Sequence, residues 1–210
     1  MTNIFHHNIS LLIMFVLLSF SSNTNAWVLV ISAGPKQIYI QVGNGTYTGG
    51  NDNAGGKPAN NSTVNVVSVT VPAASIGNGT PLPMTSNSTA ANSFQDGYVV
   101  CNPPNQVYIG GWVRVPGTVG SAVMSVTTPA NLTNASGDTI PFSSIKWVSS
   151  ANGNAAADIA SGTFNGGNLT LANIAANRWV ENCMTFTYAN ANIYAPGTYN
   201  GRAVYTLSLP

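Results

Sequence analysis

Apolar side chains recur at every second position over short runs, and turn-forming residues separate the runs. Ile38, Ile40 and Val42 alternate within KQIYIQV, and Val107, Ile109, Val113 and Val115 alternate with Tyr108, Trp112 and Arg114 within QVYIGGWVRV. Alternation of period two puts one face of an extended segment on a core and the other away from it. In TVNVVSVTV the phase slips: Val64 and Val66 share one face, then Val67, Val69 and Val71 the other, which predicts a β-bulge. SAVMSV, SSIKWV, NLTL, WVENCMTFTY and TYNGRAVYTLSL complete the set, and along the last of these Tyr199, Ala203, Tyr205, Leu207 and Leu209 share a face. Between the runs stand Gly43-Asn44-Gly45, Gly77-Asn78-Gly79, Pro103-Pro104, Pro116-Gly117, Gly166-Gly167 and Pro196-Gly197, all of turn composition. Only residues 155–160 (AAADIA) and 171–177 (LANIAAN) have helical composition, and both are too short to change the class. Residues 49–61 read as a polar loop, and no shift of composition marks a second domain. The pattern predicts an all-β fold, a single β-sandwich of about eight to ten strands.

The amino terminus departs from this pattern. Residues 11–20, LLIMFVLLSF, form an apolar run of about half the length that spans a bilayer. Five polar residues and the small Ala26 follow, as in a signal peptide with its cleavage point. The preceding MTNIFHHN lacks the usual Lys or Arg. Cleavage is expected after Ala26, with Ala33 as a second choice, so residues 1–26 are assigned to export and 27–210 to the mature domain. An exported chain meets an oxidising compartment, and its two cysteines, Cys101 and Cys183, both lie in strand-like runs. They are expected to form one structural disulfide.

Composition narrows the chemistry. Charged residues are 5% of the 210, with six Lys plus Arg against five Asp plus Glu, so there is no basic face to neutralise nucleic-acid phosphates. Hydrophobic residues at 44% separate the chain from disordered polar linkers. Both histidines fall in the signal region, which leaves the mature chain without an imidazole for base or triad chemistry. Asp52, Asp96, Asp138, Asp158 and Glu181 are widely spaced, and most sit beside Gly or Asn, as turn aspartates do. Arg178 and Glu181, flanking Trp179, read as an exposed ion pair. The expectation is no enzyme, no metal and no cofactor. Trp112, Trp147 and Trp179 lie mid-strand and read as packing residues, whereas Tyr47 and Tyr194, in loop-like sequence, are the candidates for stacking on a ligand such as a sugar. Eight N-x-Ser/Thr sequons in the expected mature chain follow from the Asn and Thr content, and they carry meaning only in a eukaryote.

The carboxyl-terminal stretch RWVENCMTFTYAN, continued by APGTYNGRAVYTLSLP, resembles the end of bacterial fimbrial subunits of the FilA and spore-coat-U-like group. KQIYIQVG and VTVPAASIGNGTP are similar to other segments of those proteins. The likeness covers about a third of the chain. It implies an immunoglobulin-like pilin that lacks a strand of its own, handled by a periplasmic chaperone and an outer-membrane usher. The gap in such a pilin is filled by a neighbour's amino-terminal extension, a form of β-augmentation. Residues 27–42 are the expected extension, interrupted by Gly34-Pro35. Two donor segments therefore stay open: Val28–Ser32, with Val28 and Val30, or Lys36–Val42, with Ile38, Ile40 and Val42. The expected function is a structural subunit of a surface fimbria that supports adhesion or biofilm formation, and the alternative is a secreted carbohydrate- or surface-binding adhesin domain.

Overall fold

The computed structural model describes residues 37–48, 57–58, 65–93, 95–114, 120–150 and 156–209. The signal-peptide assignment, the donor candidates Val28 and Val30, and the side chain of Tyr47 lie outside the described residues. The protein is an all-β sandwich in which every strand pair is antiparallel, as the alternation predicts. Its larger sheet begins with the hairpin of β1 (Gln37–Val42) and β2 (Gly45–Thr48), and β2 also pairs with the short β3 (Lys57–Pro58). Next in the chain, β4 (Val67–Ser68), β5 (Leu82–Pro83) and β6 (Thr85–Ser86) are two-residue segments. The centre of the larger sheet is β7 (Val107–Arg114). Next along the chain come β8 (Ser121–Thr127), the small hairpin β9 (Asn131–Thr133) and β10 (Thr139–Pro141), and β11 (Ile145–Ser150). The last four are β12 (Gly162–Thr163), β13 (Asn168–Ala175), β14 (Trp179–Tyr188) and β15 (Val204–Ser208). The larger sheet has the order β12-β11-β14-β7-β1-β2-β3, with β5 also on β14, and the smaller has the order β13-β8-β15.

The core lies between these sheets. From β7, Val107, Ile109 and Val113 point inward and meet Ala122, Met124 and Val126 of β8, Ile174 of β13 and Leu207 of β15. Gly111 belongs to this face because the sheets close on it. A Cβ there would stand 2.7 Å from Met124 Cε and 3.0 Å from Ile174 Cδ1, an overlap that a well-packed core resists. The outer face of β7 is covered too. Tyr108 is fully buried beside the Cys101–Cys183 disulfide, whose Cα atoms are 5.5 Å apart, with Ala90 and Val100 packed on it.

Three local expectations need correction. Residues 171–175 belong to β13 rather than to a helix, and 156–160 are not helical either. The irregularity expected near Val66 is absent: from Asn65 to Pro72 half-buried and exposed residues alternate without a slip. The register shift falls instead between Thr170 and Ala172 of β13. Arg178 does not pair with Glu181; its guanidinium bonds the Asp158 carboxylate, while Glu181 accepts from Tyr108 Oη (3.0 Å) and Trp179 Nε1 (2.9 Å).

Two outcomes follow. The disulfide closes a separation of 82 residues, so Cys101→Ser with Cys183→Ser should lower the unfolding free energy by roughly 4–5 kcal/mol on the chain-entropy account, read by denaturant titration. Ile40 pairs with Tyr47 on one side and Gly111 on the other, both within its own chain. Ile40→Asp should therefore cost about 3 kcal/mol or more, from lost apolar burial and a charge set against the core. The loss should persist when a peptide of residues 27–36 is supplied, and a variant restored to wild-type stability by that peptide would contradict the internal placement of β1.

Candidate functional site

The two flanks of the sandwich are covered differently. Beyond β13, the inner face of β11 and β14 is closed by rings. Phe164 packs on Phe142 (centroids 5.1 Å apart), Trp147 (4.8 Å) and Phe186 (6.2 Å), and Ile159 fills in beside them with no exposure at all. The residues that supply this cover lie in β11, β14, the single turn of 3-10 helix Phe142–Ser144 and the segment leading to β13. This flank is finished.

The opposite flank is not. There β15 packs across the core from β1. Ile38, Ile40 and Val42 of β1, Tyr205 of β15 and the neighbouring Leu209 all touch the core yet stay half-buried; of β15 only Leu207 is buried. Val67, Val69 and Val71 behave in the same way. Their segment is extended and alternates cleanly, but only Val67 and Ser68 pair, with Ser86 and Thr85, and residues 69–72 join no ladder. Among the described residues β15 pairs with β8 alone, so its outer edge carries no strand. Asn65 fixes the near end of the extended segment: its Nδ2 donates to Val42 O (2.7 Å) and its Oδ1 accepts from Asn44 N (3.0 Å). Eight half-buried apolar side chains beside backbone that joins no ladder can take up one more extended segment with apolar residues at alternate positions.

The candidate residues are divided by this geometry. Ile38, Ile40 and Val42 line the flank as part of an intramolecular strand. Tyr194 does not stand free as a stacking platform. It is half-buried against the core, and its Oη accepts from Asn192 Nδ2 at 3.4 Å. Burial, together with the nearby Tyr194 and Tyr199 hydroxyls, pushes the Tyr188 hydroxyl above the usual phenol range. Trp147 is in the core, while Trp112 and Trp179 are half-buried. Trp179 stacks on Tyr39 at 5.4 Å, where burial raises the Tyr39 hydroxyl well above the phenol range.

The described carboxylates each serve a local partner: Asp96 Oδ1 accepts from Tyr98 N (3.1 Å), Asp138 Oδ2 from Asn134 Nδ2 (2.8 Å), Asp158 from Arg178, and Glu181 from Tyr108 and Trp179. A hollow of about 530 Å³ opens between residues 133–136 and 196–200. Its deepest polar side chain, the buried Asn134, is engaged by its own turn, accepting from Ser136 N (3.0 Å) and Asp138 N (2.8 Å). Among the described residues no group of three or more His, Cys, Asp or Glu stands together as a metal site would need. Sequence alternation had marked Val67, Val69 and Val71 and the Tyr205–Leu209 face as strand residues. It carried no sign that their outer edges lack partners, because a paired and an unpaired strand alternate alike. No family model, curated protein or solved structure matches this chain.

Proposed function

We propose that the protein is a structural subunit of a surface fimbria, joined to its neighbours by donor-strand complementation. The half-covered flank beside β15 carries this reading: apolar side chains from β1, residues 67–71 and β15 are left partly open next to a strand edge that has no partner among the described residues. Filling that gap with a strand from a neighbour buries the side chains and pairs the edge in one step. Because β1 is committed to its own sheet, the donor is Val28–Ser32, and Gly34-Pro35 separates it from β1. A fimbrial subunit is exported, and the Cys101–Cys183 disulfide is compatible with a secreted protein. A chaperone that shields the flank and an usher that orders the exchange are the partners such assembly requires.

Mature chain and a synthetic peptide of residues 27–36 test this directly. The peptide should raise the midpoint of thermal unfolding by several degrees, since burial of even one Val contributes about 1.5–3 kcal/mol. The same peptide with Val30→Asp should have no effect. An unfolding midpoint indifferent to the wild-type peptide at high excess would contradict strand acceptance.

A further inference from the structure

Two loops at one pole of the sandwich hold isoleucines in solvent on a fixed backbone. Ile76 is 42% exposed and Ile193 is 79% exposed. They are neighbours: a Cβ on Gly77 would stand only 2.6 Å from Ile193 Cγ1, so the Ile193 side chain lies over the backbone that follows Ile76. The loops are clamped together by Asn190, which is 1% exposed and has φ +49°. Its Oδ1 accepts from Gly77 N (3.0 Å), its carbonyl accepts from Gly79 N (2.9 Å), and its Nδ2 donates to Ser75 O (2.7 Å) and Asn78 Oδ1 (3.0 Å). Single exposed apolar residues are ordinary. An adjacent pair on loops ordered by a buried amide has the form of a preorganised contact, since little entropy remains to be lost on binding.

The position of this pair indicates what covers it. The loops flank Leu82 and Tyr188, which pair with each other at the far end of β14. β1 begins at the other end, where Gln37 pairs with Arg114 and the neighbouring Trp112 pairs with Trp179 at the start of β14. The ten residues of β14 separate the two poles by about 30 Å. A copy that reaches a neighbour through its amino-terminal segment does so from the pole opposite the isoleucines. Repeating that relation sets the extension-bearing pole of one copy against the isoleucine-bearing pole of the next, a head-to-tail contact that continues as an open filament. We infer that Ile76 and Ile193 form the apolar contact through which each copy stacks end to end on a second copy of this chain, an inference that rests on the fimbrial reading above.

The test uses polymers assembled from the full chain in exporting cells. Ile193→Cys labelled with a benzophenone maleimide should photo-cross-link to a second copy and give a ladder of covalent oligomers. Ile76→Asp with Ile193→Asp should leave monomer unfolding unchanged and make polymers dissociate at least about tenfold faster in detergent, the effect of one lost apolar anchor. Wild-type polymers that show no cross-link from position 193, with the double variant dissociating at the wild-type rate, would overturn the stacking contact and leave strand acceptance standing. Double-variant polymers of normal durability that no longer attach to an apolar surface would assign the pair to a foreign surface and likewise overturn it. Failure of the wild-type chain to polymerise would remove this contact and the fimbrial reading together.

Discussion

The architecture turns on a mismatch of width between two sheets. Seven strands lie side by side across the larger sheet, with β5 also on β14, and three across the smaller; at about 4.8 Å per strand these rows span about 30 Å and about 10 Å. An apolar sheet face has to be covered by another layer, so something other than strands must supply the remainder. On one side Phe142, Phe164 and Ile159 supply it. On the other, Tyr205, Leu209 and Val67, Val69 and Val71 reach inward and remain half-buried. The consequence is a fold held by a disulfide and a tight centre, with one side half-covered among the described residues.

The scarcity of charge fits this arrangement. With charged residues at 5% of the chain, loop order is delegated to amides. Asn65 ties the β1–β2 turn to the following extended segment, Asn87 Oδ1 accepts from Val66 N, Asn134 closes its own turn, and Asn190 joins two loops more than a hundred residues apart in sequence. Several of the sequons are explained in the same way. Asn44, Asn78, Asn87, Asn134 and Asn168 all spend their side chains on hydrogen bonds within the fold. Asparagine serves here because it bonds backbone in turns without bringing charge.

Much of the sandwich was legible because period-two alternation is a direct image of a pleated strand with one buried face. The run from Ala203 to Leu209 alternates in burial as it alternates in sequence. The second half of β13 was illegible for a physical reason. The register shift between Thr170 and Ala172 puts Leu171 and the adjacent Ala172 both in buried positions, which breaks the alternation and leaves a short Leu/Ala run that imitates a helix. Arg178 and Glu181 misled in a related way. A spacing of three brings side chains together on a helix, but in extended chain it sends them to opposite faces, and Arg178 meets Asp158 from another segment instead. The half-covered flank was hidden for a different reason: pairing is a relation between distant segments, and the sequence of one strand does not record whether its outer neighbour exists.

The claim on which the account depends is that the outer edge of β15 is paired only when a second copy is present. Amide hydrogen exchange across Val204–Ser208, compared between monomer and assembled polymer, measures that edge residue by residue. Alternate amides of β15 already bond β8 and should be slow in both states, whereas the intervening ones should exchange fast in the monomer and become strongly protected in the polymer. Equal exchange of those intervening amides in the two states would contradict the account.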